Sequence, residues 1–497
     1  MPLLHFSPRL TRRRHILFVS VILLVFIFTR LRLHGSNPEE TELVVSNRQP
    51  PPPDSACSSD LSYLRRKEYR LTAEIIYQRH CVRALLREGT DRQEVKHVPQ
   101  SIVQAGDLLQ KRTDCDGWRA PVAQDLTCRE PLDITVPPAF PAQQYGNFLF
   151  GVATTFDRMI KSLPQFAHWL GNSGATLVAV VVDAQKKGRQ VDDLVDAYQA
   201  HGINIVVEMP WDPSVSVNKQ HFTIIQNMVQ HLTPQTEWVA IIDDDTFFPS
   251  LFTLSSTLKQ YDSKASTYLG GMSESHYAIE KHGFQAYGGA GIFLSVPLVK
   301  ELRPVLNDCL QDKTVKHGDA LLNTCILKYT EAEFTVVPGL RQMDLNGDLS
   351  GFYESGQLPL SLHHWKSWHH VPVDKMAKTS DFCGGCFLQR WQLGTDTIFT
   401  NGYSIALYPK GMAGVTMNEM EGTWDRATKW KWDLGPLRPA FDETQKKNYI
   451  LLDSEQVGPN LRQLYIHRAG SPGGWWNKNK IIQRDEIIEL WWEWLKD

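Results

Sequence analysis

From about residue 148 the chain alternates two hydrophobic patterns. Short unbroken apolar runs, Phe148 to Ala153, Thr176 to Val182, Ile203 to Val207 and Trp238 to Ile242, read as buried strands. Between them lie stretches with one apolar face. One runs from about Phe156 to Leu170. A second carries Val191, Leu194, Val195 and Tyr198 and stops at Gly202, and a third runs from Phe222 to Leu232. Strand–helix alternation at this spacing predicts a layered α/β fold with a mostly parallel sheet. Ligands of such sheets bind beyond the carboxyl ends of the strands.

The last of these runs ends in Asp243-Asp244-Asp245-Thr246-Phe247-Phe248. Three adjacent carboxylates repel one another in a partly dry site unless a cation neutralises them. Hard oxygen ligands suit Mg²⁺ or Mn²⁺, ions that also grip phosphates. An acidic triplet after a strand is also a common solvated turn. Phe247 stands where aspartyl phosphatases carry Thr or Val, which argues against an aspartyl-phosphate mechanism.

Four later segments carry further chemistry. Tyr287 to Ser295 joins a Gly-rich turn, Gly288-Gly289-Ala290-Gly291, to a strand; its glycines would let the backbone approach a ligand closely or serve only a tightly packed turn. His317-Gly318-Asp319-Ala320 opens a helix with Leu322, Ile326 and Tyr329 on its apolar face; Asp319 there is either a helix-start residue or a catalytic carboxylate. Asp344 and Asp348 lie in the next loop. Leu360-Ser361-Leu362-His363-His364-Trp365 then offers imidazoles, one of which could complete a metal shell.

Outside this region the pattern changes. Ile16 to Phe28 is almost wholly apolar, preceded by Arg9, Arg12, Arg13 and Arg14. It is shorter than the roughly 20 residues of a typical spanning helix, so a cleaved signal peptide competes with an anchor. Thr29 to Leu33 offers no small-residue cleavage site, and flanking arginines extend a short span by snorkelling. The expectation is a cytosolic tail at 1–14, a transmembrane anchor at 15–33 and a lumenal remainder. A polar stem with four consecutive prolines follows at 34–56. Residues 57–147 form an N-terminal lumenal region with a helical stretch around Leu61 to Arg87. Aromatic-rich runs at Thr397 to Leu407 and Ile487 to Leu495 place a C-terminal appendage within 376–497, with Trp491, Trp492 and Trp494 read as packing.

The 497 residues carry a formal net charge of −3, which offers no bulk attraction to nucleic acid. Eight cysteines, an even number, suit an oxidising compartment, and Cys383-Gly384-Gly385-Cys386 reads as a structural disulfide. No Asn-x-Ser/Thr acceptor occurs.

Taken in order, the triplet with Thr246 to Phe248, Tyr268-Leu269-Gly270-Gly271 with Ser273-Glu274-Ser275, the Tyr287 to Ser295 segment, His317 to Ala320 and Ser361 to His364 resemble the fringe-like glycosyltransferases of family 31, especially the fungal and plant branch. The resemblance covers roughly residues 148–375. It implies a GT-A fold in a single-pass type II membrane protein of the Golgi or ER–Golgi, with the catalytic part lumenal. It also implies inverting transfer of a hexose or N-acetylhexosamine from a UDP-sugar, with Mn²⁺ or Mg²⁺, to a glycan or glycoprotein hydroxyl. Residue by residue, Asp245 would ligate the metal, Asp243 the metal or the ribose, and His363 or His364 the metal. Asp244, Thr154, Thr155 and Arg158 would face the nucleotide, and Asp319 matches the general base. Many animal members have Glu-Asp where this chain has Gly318-Asp319. A catalytically silent lumenal scaffold and a nucleotide-sugar hydrolase are the rival readings; donor, acceptor and oligomeric state are not legible.

Overall fold

In the computed structural model the described residues are 59–102, 107–111, 118–119, 130–426, 434–442, 444–470 and 484–493. The expected anchor and stem, together with Trp494, lie outside them. No helix among the described residues is long and apolar enough to cross a membrane.

A seven-stranded sheet holds the centre. Its strands are β1 (Phe148–Thr154), β2 (Thr176–Val181), β3 (Asn204–Glu208), β4 (Trp238–Ile242), β5 (Tyr268–Gly270), β6 (Ile292–Ser295) and β7 (Phe334–Val336), in the order β7-β5-β6-β4-β1-β2-β3. The helices include α1 (Phe156–Leu170), α2 (Gln190–Ala200), α3 (Val217–Met228) and α4 (Gly318–Tyr329). Strands β4, β1, β2 and β3 are parallel, as the alternation predicts. Strand β6 runs antiparallel to both neighbours, so the sheet is mixed at its middle. Every residue of β1 and β4 is buried, because both sheet faces are covered. Phe148, Phe150 and Val152 enter one core, whereas Leu149 and Ala153 enter the other, as a period of two requires.

The helix limits shift modestly. The expected helix at 222–232 begins at Val217 and ends at Met228. On α4, Leu322 and Ile326 are buried but Tyr329 is exposed.

The chain ends depart further from expectation. Residues 74–86 form a strand, not a helix, preceded by two short 3-10 turns. Its β-branched and aromatic positions Ile75, Tyr77 and Val82 find partners 410 residues away: Ile75 to Arg83 pair in parallel with Asp485 to Glu493. Residues of 57–147 and 376–497 therefore share one eleven-stranded sheet. Thr397–Thr400 and Ser404–Leu407 form one of its hairpins. Trp492 is buried there, its indole donating to Gln463 at 2.6 Å. The disulfide Cys383–Cys386 closes a short loop, and Cys309–Cys325 ties helix Leu306–Leu310 to α4.

Charge is buried in this half too. Lys446 is 8% exposed and pairs with Glu421 at 2.8 Å and with Glu354. Arg438 reaches Glu421 at 3.0 Å. Removing the only ammonium of this group strands the Glu354 carboxylate in the core. Lys446→Met should cost about 3 kcal/mol or more in urea unfolding; a loss below about 1 kcal/mol would show that the pair is solvated.

Candidate active site

Strand β4 delivers the acidic triplet into a turn that is fastened before any ligand is considered. The Asp243 amide donates to Thr246 Oγ1 at 3.0 Å, and that hydroxyl donates to the Gly289 carbonyl at 3.0 Å. Phe247 and Leu362 exchange backbone hydrogen bonds at 2.8 Å in each direction. This short antiparallel bridge carries His363 to Asp245. The Trp365 indole then donates to the Asp245 carbonyl at 2.6 Å.

The three carboxylates part ways. Asp244, 2% exposed, accepts both arms of Arg158 and the Thr154 hydroxyl. Its carbonyl accepts from Ser162 and Gln165, each at 2.8 Å. Asp244 lines the cleft, but its carboxylate is already held, so it positions the turn and is not free to bind a nucleotide as expected. Arg158 and Thr154 likewise serve Asp244 first.

Asp243 and Asp245 converge instead on one nitrogen. His363 Nε2 lies 3.1 Å from Asp243 Oδ2 and 3.0 Å from Asp245 Oδ1. His363 Nδ1 donates to the Gln342 carbonyl at 3.1 Å, which fixes the ring and leaves Nε2 facing the acids, where its proton bonds them until a cation takes its place. These groups fit a divalent cation: hard carboxylates, one imidazole with its far nitrogen tied, and burial of all but Asp243, whose side chain keeps 28% of its surface exposed. His364 also comes within reach of Asp245 and His363. Its two nitrogens already contact Asp344 at 3.1 Å and Ser367 at 3.2 Å, and its ring stacks on Trp368. His363 Nε2, by contrast, faces both Asp243 and Asp245 directly.

On the other side of Asp243, His221 Nε2 approaches Oδ1 at 3.1 Å. Asp319 Oδ2 accepts from the Gly288 amide at 2.9 Å. A side chain on Gly288 would crowd His221, Asp243 and Asp319 at 3.2–3.3 Å, and one on Gly289 would strike the His363 ring at 2.2 Å. The glycines thus make room for the side chains of His221, Asp243, Asp319 and His363, not for a passing ligand. Gly291 serves backbone geometry, at φ +94°. Gly318 has a comparable reason. A Cβ there would lie 2.8 Å from His221 Cβ and 3.0 Å from the Asn218 carbonyl, so glycine lets α3 lie against the start of α4.

Thr154, Thr155 and Arg158 line a cleft of about 200 Å³ with Asn218, His221, Asp243 and Asp244, beyond the carboxyl ends of β1 and β4. The expected nucleotide-facing residues are thus brought together. His221 was not singled out in the sequence; a lone His beside Phe222, Ile224 and Ile225 reads as part of a helix, and only packing of α3 on α4 brings it to Asp319.

The electrostatics follow from this crowding. Burial pushes the Asp243 and Asp245 carboxyls up, but neighbouring imidazoles outweigh it and hold both below the usual carboxylate range. Burial opposes a charged His363, yet its two carboxylate partners hold its pKa well above 6.5. Burial raises Asp319, with His221 pulling it down and Asp243 pushing it further up.

Comparison with known proteins adds a partial likeness. Residues 280–379 match a family model described as "Protein of unknown function, DUF604". A beta-1,3-glucosyltransferase of Mus musculus is 27% identical over 155 residues, 31% of this chain and 29% of the relative. The chain thus matches under a third of that relative's length. Similar solved structures include mouse xyloside xylosyltransferase 1 in its apo form (9% identity, 38% of this chain and 84% of that one, TM-score 0.27). Another is the mannosyltransferase PcManGT of Pyrobaculum calidifontis with GDP-Man and Mn²⁺ (13% identity, 44% and 63%, TM-score 0.28). Likenesses at these scores carry no weight for function.

With no metal bound, the raised pKa means that a charged His363 stabilises the fold below about pH 6.5 and that this contribution is lost as pH rises through the folded value. A cation must displace that proton. Mn²⁺ affinity measured by calorimetry should rise with pH above 6.5, by up to about tenfold per unit. His363→Ala should bind weakly with the slope removed; an unchanged slope in that variant would exclude His363 as the ligand.

Proposed function

We propose that this protein is an inverting glycosyltransferase of the fringe-like type. It would transfer a hexose or N-acetylhexosamine from a UDP-sugar to a glycan or glycoprotein hydroxyl, using Mn²⁺ or Mg²⁺. The observation that supports this best is the convergence of Asp243 and Asp245 on His363 Nε2, with Asp319 across Gly288 from them. In this reading one carboxylate pair serves a cation, and a separate carboxylate serves proton transfer.

In this reading Asp243, Asp245 and His363 hold the cation, which when bound offsets charge growing on the departing diphosphate. The nucleotide occupies the cleft lined by Thr154, Thr155, Asn218 and Asp243. Asp319 accepts the proton of the acceptor hydroxyl as that oxygen attacks the anomeric carbon from the face opposite the diphosphate. The Gly288 amide holds one carboxylate oxygen and leaves the other for the acceptor. Burial makes Asp319 a stronger base than a solvated carboxylate, which suits this duty near neutral pH. His221, touching Asp243, keeps the two acidic groups electrostatically separated.

The same reading places the chain in the Golgi or ER–Golgi as a type II protein, with residues 15–33 as anchor. The disulfides Cys309–Cys325 and Cys383–Cys386 favour an oxidising lumen.

Asp245→Ala should abolish Mn²⁺-dependent release of UDP from the UDP-sugar that serves as donor. Asp319→Asn should keep UDP binding while transfer falls by about 10²- to 10⁴-fold. Wild-type turnover in either purified variant would remove that residue from its role. UDP release that ignores added acceptor in the wild type would point to a hydrolase.

A further inference from the structure

A second cavity, also of about 200 Å³, opens beside the metal-type cluster. It is lined by residues 274–277 after β5, by Asp344 to Asn346, and by Trp424, Asp425 and Arg426 from the C-terminal part of the chain. The outer wall is fastened in place. The Asp425 amide donates to the Asn346 carbonyl at 2.8 Å, Trp424 bridges Gly347, and Thr423 Oγ1 donates to the Asp348 carbonyl at 2.6 Å. Gly347 sits at φ +90°, and a Cβ there would stand 3.2 Å from Asp425 Oδ1, so the close approach requires glycine.

The chemistry of the lining is specific. Glu274 is 2% exposed, yet its Oε1 has no hydrogen-bond partner. Its Oε2 has only a long contact, 3.4 Å, from the Asp344 amide. An acceptor left unpaired at that depth costs about 1–3 kcal/mol, so an occupant that donates to it is favoured. Tyr277, 47% exposed, borders the cavity, with Arg426 4.8 Å from its ring centroid and the His276 ring 3.8 Å away. Trp424 also borders the cavity but is itself buried. Aromatic faces beside hydrogen-bond acceptors match a sugar ring, whose C–H face is apolar and whose rim carries hydroxyl donors.

Charge bears on the choice of occupant. Among the described lining residues the carboxylates Glu274, Asp344 and Asp425 outnumber Arg426 and His276, which disfavours a diphosphate relative to a neutral polyol. A cation is a poor fit as well, because both Asp344 oxygens are already engaged, by Ser273 at 2.5 Å and His364 at 3.1 Å. Burial pushes Glu274 up to about 7, against the pull of Arg341, which further lowers its claim on a metal. The cavity also adjoins the reacting centre. Asp344 touches His364, whose ring lies 3.8 Å from that of His363.

We propose that this cavity is the acceptor subsite: it holds a neutral sugar residue of the acceptor, hydrogen-bonded to Glu274, stacked on Tyr277 and walled by the C-terminal segment 424–426. The assignment rests on the transferase reading for the word acceptor, but not for the word sugar. It makes residues far outside the central α/β layer determinants of acceptor choice.

The test uses the full chain and methyl glycosides of glucose, galactose, mannose, xylose and N-acetylglucosamine as probes, with binding followed by saturation-transfer NMR. UDP with Mn²⁺ forms a separate titration. The expected result is millimolar binding of at least one glycoside, weakened about tenfold or more in both Tyr277→Ala and Glu274→Gln, with UDP–Mn²⁺ affinity held within about twofold. Tyr277 is exposed and Glu274→Gln keeps its shape, so both variants should fold. Glycoside binding that survives both substitutions, or UDP–Mn²⁺ binding with no glycoside bound, overturns the subsite. Glycoside binding with the expected sensitivity but no UDP–Mn²⁺ binding keeps a sugar site and overturns the transferase reading instead.

Discussion

Two carboxylates and one imidazole nitrogen are forced together at the mouth of the central sheet, and the rest of the site is arranged around that crowding. The backbone imposes it: Asp243 to Asp245 leave a fully buried strand, and the bridge between Phe247 and Leu362 leaves His363 no other direction. Like charges this close are tolerable only if each is answered. Asp244 is answered by Arg158, and Asp243 and Asp245 share His363. A divalent cation answers the same pair better than a proton does, because it carries more charge and accepts several oxygens at once.

The surrounding glycines and helices follow from the need to keep those groups in contact. Gly288 and Gly289 remove side-chain volume where Asp319 and the His363 ring must stand, and Gly318 lets α3 bring His221 against Asp243. The outer sheet contributes at longer range. Strands from both ends of the chain close into one eleven-stranded layer, and the segment leading out of it supplies Trp424 to Arg426 beside Glu274. In the proposed function the α/β layer would carry the cation and nucleotide chemistry, whereas the chain ends would shape what stands opposite.

Much of the central layer was legible because its strands are uninterrupted apolar runs and its helices repeat an apolar face. The acidic triplet and Ser361 to His364 were legible because residues with few structural uses stand at strand ends. Strand 74–86 was not, since its Arg79, His80 and Arg83 break any alternation and its pairing partner lies at the far end of the chain. The antiparallel course of β6 was equally hidden; a strand's sequence carries its faces, not its direction. Asp244 looked like its neighbours, and only the salt bridge to Arg158 separates it from them. The glycines of 288–291 suggested ligand passage for a sound reason, but the volume they vacate is filled by His363, His221 and Asp319. His221 and Glu274 acquire meaning only from packing.

The most direct measurement is an anomalous difference map from crystals of the protein grown with Mn²⁺ and UDP. The account predicts a single strong manganese peak bounded by Asp243, Asp245 and His363, with the diphosphate on its cleft side toward Thr155 and Asn218. A peak held by other residues, or ordered UDP with no metal beside these side chains, would contradict it.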